Sequence, residues 1–196
     1  GFRGKPTIDA AECASGCNAC ASVCPSRAIT LDPVQIDLGR CVLCGDCESV
    51  CPGGKIAFNS DVKLASTTRE GLTISAAHPE IDPIKVSAEL HKRFGRSLKL
   101  RSVSAGGCNG CEMELNAVGN VNFDFGRYGI DMVASPRHAD GLVLTGPISR
   151  NMVEALQICW DAMPEPKLVI AMGACAISGG VFADCASGSR GHKAMA

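Results

Sequence analysis

The stretch "LKLRSVSAGGCNGCEMELNAVGN", residues 98–120, decides the fold of the second half of this chain. Its opening, "LKLRSVS", reads as a β-strand, the glycines that follow as a turn, and "EMELNAV" from Glu112 as a helix start. The rhythm then repeats: "GLVLTG" is a strand, "SRNMVEALQICWDAM" a helix and "KLVIAMG" a strand. Strands alternating with helices predict βαβ units on a parallel sheet. In such sheets the working groups lie beyond the carboxyl ends of the strands. Cys108 and Cys111 follow the first strand and Cys175, in "GACAISGG", follows the last, so these three cysteines are expected at one edge of the sheet. Gly-rich turns let the backbone come close to whatever they hold.

Upstream the pattern differs. Residues 1–60 are cysteine-dense and turn-rich, and they repeat internally: "CNACASVCPSRAITLD" from Cys17 aligns without a gap on "CGDCESVCPGGKIAFN" from Cys44. Each half is expected to supply a cysteine loop, a short helix and a strand, the two copies forming one unit. Residues 61–82 read as polar and loop-like. From Pro83, "PIKVSAELHKRFG" places Val86, Leu90 and Phe94 on one helical face, with a basic end that reads as a solvated helix terminus. The resulting division is 1–60, a linker with an amphipathic helix over 61–97, and 98–196.

Composition limits the function classes. The chain has 196 residues, 46% of them apolar, and its 19 Lys and Arg balance 20 Asp and Glu. Nothing in that balance suggests a nucleic-acid surface. No apolar run approaches the roughly 18–20 residues that span a bilayer. Thirteen cysteines far exceed ordinary usage. Cysteines in clipped C-x-x-C runs favour metal binding over a disulfide scaffold. The opening "GFRGKPTID" lacks the charged head and apolar core of a secretory signal, so a reducing, cytoplasmic setting is expected. The start at Gly suggests that the natural beginning lies further upstream.

The front cysteines carry the strongest signal. Cys41-x2-Cys44-x2-Cys47-x3-Cys51-Pro52 has the spacing of a bacterial 4Fe–4S run, in which three thiolates from one tight loop cap three corners of the cube. The fourth points elsewhere and, in two-cluster proteins, reaches the other cluster. Cys13-x3-Cys17-x2-Cys20-x3-Cys24-Pro25 is the same run with one extra residue in its first gap. Crossed ligation predicts one cluster on Cys13, Cys17, Cys20 and Cys51, and another on Cys41, Cys44, Cys47 and Cys24. Structural zinc also uses paired cysteines, but two tandem runs that each end in Cys-Pro disfavour it. This part resembles a two-cluster bacterial-type ferredoxin, which implies an α+β ferredoxin-like dicluster domain.

"GGCNGCEMELNA", "ASPRHADGLVLTGPIS" and "VIAMGACAISGGVF" together resemble the small electron-transfer subunit shared by nickel-iron hydrogenases and respiratory complex I, over residues 99–184. That resemblance implies an α/β flavodoxin-like domain with a parallel sheet and a third 4Fe–4S cluster on Cys108, Cys111 and Cys175. The complex I branch has adjacent cysteines in the first motif. Here Asn109 and Gly110 separate them and Glu112 follows, which is the hydrogenase pattern. The resemblance further gives Glu112 a role in proton transfer, through burial and cluster charge that raise its pKa, and places Arg137 and His138 beside the cluster in a supporting shell. The family's fourth ligand, in a later "GCPP" segment, is missing from this sequence. Three alternatives follow: three protein ligands hold a labile or incomplete cluster, Cys185 is recruited, or the polypeptide continues beyond Ala196.

The expected function is therefore an electron-transfer subunit of an oxidoreductase complex, inactive alone, carrying three 4Fe–4S clusters to the catalytic large subunit of a membrane-associated nickel-iron hydrogenase of the energy-converting or formate hydrogenlyase type. The implied partners are that large subunit, other iron–sulfur or formate dehydrogenase-type subunits and membrane-arm subunits, at the cytoplasmic face of the membrane. The alternatives are a complex I-like quinone-reducing module and a free ferredoxin-type carrier. Cys159 reads as a small core hydrophobe, His78 as an exposed loop residue, His91 as facing solvent or the domain seam, and His192 as a tail residue.

Overall fold

Proline placement shapes the front of the chain. Two short helices, α1 (Ala19–Val23) and α2 (Asp46–Val50), each end at a cysteine with extended backbone, Cys24 at φ −69 and ψ 112 and Cys51 at φ −73 and ψ 110. Pro25 and Pro52 follow, and proline disfavours helical backbone in the residue before it. Both cysteines are thereby swung off their helices. A strand follows each helix, β2 (Ile29–Thr30) after α1 and β4 (Ile56–Phe58) after α2, so each copy of the repeat does supply a cysteine loop, a helix and a strand.

The computed structural model describes residues 2–9, 13–82, 84, 88, 92, 94, 95 and 97–185, and it divides into units at 1–84 and 85–196. In the first unit β1 (Pro6–Ile8) pairs antiparallel with β4, Pro6 opposite Phe58. A second antiparallel sheet runs β2, β3 (Gln35–Asp37), β5 (Thr73–Ser75). The core gathers Ile29, Ile36, Ile56 and Ile74 around Cys20 of α1 and Cys47 of α2.

Residues 61–82 depart from the loop-like reading. Leu72 and Ile74 are buried, and β5 pairs Ile74 with Ile36 in the core. Burying these two side chains contributes about 3–6 kcal/mol, more than enough to hold the segment down. Asp37 ties it further, receiving both guanidinium ends of Arg69. The buried Lys5 ammonium pairs with Asp61 at 3.3 Å and with Glu80. The segment is part of the first unit.

In the second unit β6 (Leu98–Ser104), β7 (Ile130–Met132), β8 (Gly141–Thr145) and β9 (Leu168–Met172) form one parallel sheet in the order β7-β6-β8-β9. All five residues of β8 are buried, as expected of an inner parallel strand with near-continuous apolar sequence. Leu142, Leu144 and Val103 pack against Leu156 of α4 (Val153–Asp161), with Cys159 at the margin of that core, as its sequence setting suggests. Helix α3 (Gly110–Ala117) follows β6 and α5 (Ala174–Ser178) follows β9. The short strand β7 is not legible in the sequence. The helix expected from Pro83 falls largely outside the described residues, Val86, Leu90 and His91 included, as does His192. Among the described residues no helix is long and apolar enough to cross a membrane.

Candidate iron–sulfur sites

The two front quartets assemble across the repeat. Cys13, Cys17, Cys20 and Cys51 line one cavity of about 670 Å³. Cys24, Cys41, Cys44 and Cys47 line a second, narrower space with about 10 Å³ free. Each quartet thus takes three cysteines from its own loop and the last from the other copy, because Cys24 and Cys51 have been turned off their helices. Ser75, Ala76 and Ala77 complete the wall of the first cavity, so the segment that reads as a linker in sequence helps enclose it.

Backbone donors serve the swung-out cysteines alike. Ala28 N–H donates to Cys24 Sγ and Lys55 N–H to Cys51 Sγ, each at 3.2 Å, while Leu43 N–H reaches Cys41 Sγ at 3.4 Å. For Cys51, partial burial acts to raise the thiol pKa, but the amides of Lys55, Gly53, Ile56 and Gly54 outweigh it and the net shift is downward. The inner cysteines behave oppositely. Burial pushes Cys41 and Cys47 up to about 11, reinforced by neighbouring cysteines. Thiolates are costly there until cations join them, and binding iron releases the protons.

This donor set suits a multi-iron cluster. Among the described residues no three His, Cys, Asp or Glu side chains gather closely enough to hold a metal ion. The quartets ring a space from several sides, which is what corner ligands of a cube require. Hydrogen bonds to the sulfurs are among the features that set the potential of such a cluster.

In the second unit Cys108 and Cys111 follow β6, and Cys175 follows β9 after Gly173. All three therefore sit beyond the carboxyl ends of the strands, next to the boundary between β6 and β8 where strand succession reverses. Burial raises the Cys111 thiol, and the Glu112 charge and Cys108 add to it. Burial likewise raises Cys175, with Cys111 and Cys108 as its acting neighbours. The trio does come together. Gly173 makes the approach possible: at φ +84 it has no side chain, and a Cβ there would lie 2.5 Å from Cys111 Sγ. Cys185 is exposed beyond the short helical turn Gly180–Phe182.

Two expectations need correction. The Glu112 carboxyl is held below the usual range, not above it. Hydrogen bonds from Ser104 and Thr145 outweigh its partial burial, the Thr145 hydroxyl donating to Oε1 at 2.6 Å. Those residues end β6 and β8, so Glu112 is an ionised anchor that pins the start of α3 to the strand ends. Arg137 and His138 lie in the turn Pro136–His138 that leads into β8. Asp140 N–H bonds Lys99 O, which puts this turn near the amino end of the sheet, whereas the cysteines lie beyond Ser104 and Met172. Both side chains are exposed. Sequence reasoning also missed Thr145 and Ser104, whose only signal was hydroxyls closing two apolar strands.

Comparison with known proteins agrees with this geometry. Residues 5–55 match the 4Fe-4S dicluster domain and residues 108–195 match the NADH ubiquinone oxidoreductase, 20 Kd subunit. The chain therefore joins a two-cluster ferredoxin domain to a domain of the hydrogenase small-subunit and complex I 20 kDa type. Among similar proteins, the probable membrane-bound hydrogenase subunit mbhJ of Pyrococcus furiosus is 43% identical over 95 residues, covering 48% of this chain and 57% of that one. Formate hydrogenlyase subunit 7 of Escherichia coli is 46% identical over 99 residues, 50% of this chain and 39% of its own length. An NADH-quinone oxidoreductase subunit of Geotalea daltonii is 47% identical over 72 residues, 37% of this chain and 42% of that one. The chain thus spans roughly half the length of these relatives. A chain of the membrane-bound sulfane sulfur reductase, an archaeal respiratory membrane complex, aligns with a TM-score of 0.43 at 28% identity, over 50% of this chain and 54% of that one, too loosely to bear on the fold.

Proposed function

We propose that this chain is the electron-transfer subunit of a membrane-associated nickel-iron hydrogenase, peripheral to the cytoplasmic face of the membrane and inactive without its large subunit. The observation that carries the reading is the assembly of eleven cysteines into two crossed quartets and a trio at the sheet edge. Cys13, Cys17, Cys20 and Cys51 hold one 4Fe–4S cluster in a ferredoxin-like domain. Cys24, Cys41, Cys44 and Cys47 hold the second. Cys108, Cys111 and Cys175 hold a third in a flavodoxin-like domain, its fourth ligand being Cys185 or a residue outside this sequence. When bound, the clusters supply one-electron carriage to the catalytic subunit.

The chain's own residues hold thiolates, shield them and present one edge to a partner. Exposed apolar side chains flank the trio: Met113 on α3 is 65% exposed, and Val181 and Phe182 follow Cys175. Apolar surface beside a site suits a protein partner, here the large subunit, within a complex of further iron–sulfur or formate dehydrogenase-type and membrane-arm subunits. The separated Cys108 and Cys111 and the following Glu112 favour hydrogenase over a quinone-reducing complex. The likeness to the NADH-quinone oxidoreductase subunit supports that second reading.

Iron content and low-temperature EPR of the assembled complex, poised under hydrogen, test the proposal. Three clusters reduced by hydrogen support it. Two clusters point to a ferredoxin-type carrier, and three that respond only to a quinol couple point to the complex I-like module.

A further inference from the structure

Between the second and third cysteines of each run the internal repeat differs at both positions, Asn18 and Ala19 in the first copy against Gly45 and Asp46 in the second. Asn18 follows Cys17 in the first copy, and Gly45 follows Cys44 in the second. Gly45 has φ +86, a conformation glycine adopts freely. Its missing side chain also makes room for something specific. A Cβ on Gly45 would lie 2.6 Å from Arg3 Nε and 2.9 Å from Arg3 Cζ, so the guanidinium rests directly on the cysteine loop.

The backbone that follows Arg3 is held in place. Gly4 N–H donates to Asn59 O at 2.7 Å and Lys5 N–H to Asp61 O at 2.9 Å, which extends the β1–β4 pairing back to the residue after Arg3. A Cβ on Gly4 would collide with the backbone of Asp61, so the two strands meet there without a side chain between them. The buried Lys5, paired with Asp61 and Glu80, locks the same stretch. Among the described ion pairs none takes Arg3. The first quartet is served differently. Its nearby cation, Lys55, is paired with Asp9 at 3.3 Å, and both residues line that cavity.

We infer that Arg3 is a potential-setting residue for the cluster of Cys24, Cys41, Cys44 and Cys47, raising its reduction potential above what the same thiolates would give alone. The inference rests on the proposed assignment of the front quartets and is independent of which catalytic subunit the chain serves. The step concerned is the one-electron reduction of the cube, which adds one negative charge and moves no atom. A cation beside the loop, even one as exposed as Arg3, favours the more negative, reduced form. The neutralised Lys55–Asp9 pair does much less at the other site. The two front clusters, alike in ligands, are thereby made unequal.

The test is a dithionite potentiometric titration of the full chain, followed by EPR, with iron content measured beside it. Arg3→Gln keeps length and polarity but removes the charge. The midpoint of one front cluster should move to more negative potential while the other front cluster stays, and raising the salt concentration should shrink the difference from the unaltered chain. Arg3→Lys should restore most of the shift. Cys24→Ser, which perturbs only the second quartet, identifies the affected signal. Unchanged midpoints in Arg3→Gln at full iron overturn the inference, as does an equal shift of both clusters. If Cys24→Ser instead disturbs the cluster of Cys13, Cys17 and Cys20, the crossed assignment fails, a result separate from any effect of Arg3.

Discussion

Replacing Gly173 by Ala tests whether the sheet edge is built to hold a cluster. The backbone there has φ +84 and ψ 158, a region essentially reserved for glycine, and forcing a side chain into it costs about 1–3 kcal/mol. The new Cβ would stand 2.5 Å from Cys111 Sγ, about 0.9 Å inside the 3.4 Å at which ordinary contact begins. Metal sites tolerate ligand displacements of roughly 0.2 Å, so a sulfur pushed back this far leaves its ligating position. Gly95→Ala is the matching control: φ there is +55, and nothing lies within 4 Å of the new Cβ. The assay is iron content with EPR of each variant, beside thermal unfolding. Gly173→Ala should lose the third cluster and keep the front two, while Gly95→Ala keeps all three. Full occupancy of the third cluster in Gly173→Ala would refute the placement of Cys111 against the turn after β9.

Other perturbations probe the remaining parts. Cys51→Ala should degrade the cluster of Cys13, Cys17 and Cys20 and spare that of Cys41, Cys44 and Cys47, read by EPR of each cluster. Ile74→Ala should cost about 2–5 kcal/mol of first-unit stability in urea unfolding, because its side chain is 1% exposed in the core. For Lys5, burial acts to lower the pKa, but Glu80 and Asp61 outweigh it and raise it above 10.5. The stability from this raised group is complete below pH 10.5 and is lost as pH climbs through the higher folded value, so the unit should weaken in strong alkali. Lys5→Met should remove that alkaline step. Glu112→Ala should cost about 1–2 kcal/mol by leaving the buried Thr145 hydroxyl only its 3.4 Å bond to Val103 O and should loosen iron at the third site, whereas Glu112→Gln, which still accepts from Thr145, should retain it.

Much of the chain is legible because its signals are local. The gapless repeat and the Cys-Pro endings point to both proposed quartets, whose cysteines line two spaces, since a proline acts on the residue beside it and a tight loop presents its own thiolates. Strands β6, β8 and β9 can be read from their apolar runs. The three-residue strands β3, β5 and β7 cannot, because so short a stretch carries no period and each pairs with residues remote in sequence. "GLTIS" looks like linker for that reason, although Ile74 sits opposite Ile36. Glu112 differs through a similar long-range effect: a carboxylate next to cysteines suggests a raised pKa, but hydroxyls from two strand ends act to hold it below the usual range. Arg137 and His138 stand close to the relevant strand in sequence, yet they precede it, and the sheet's direction puts them at the wrong end.

The two kinds of site also differ in what must fold before they exist. Each front quartet takes three thiols from one loop and needs a single contribution from its twin, so most of the ligand set is present as soon as the loop forms. The trio has no such local template. Cys111 and Cys175 meet only because β6, β8 and β9 align in register, Ser104 beside Thr145 and Thr145 beside Met172. Slipping β9 by one residue would carry Cys175 about 3.3 Å along the strand, far beyond what ligation tolerates. The third site is therefore a readout of sheet assembly, and destabilising the sheet should release its iron before either front cluster is disturbed. Leu142→Ala, in the middle of fully buried β8, makes the comparison direct: iron lost from the third site at denaturant concentrations that leave both front EPR signals intact. Simultaneous loss of all three would mean that the units do not unfold separately.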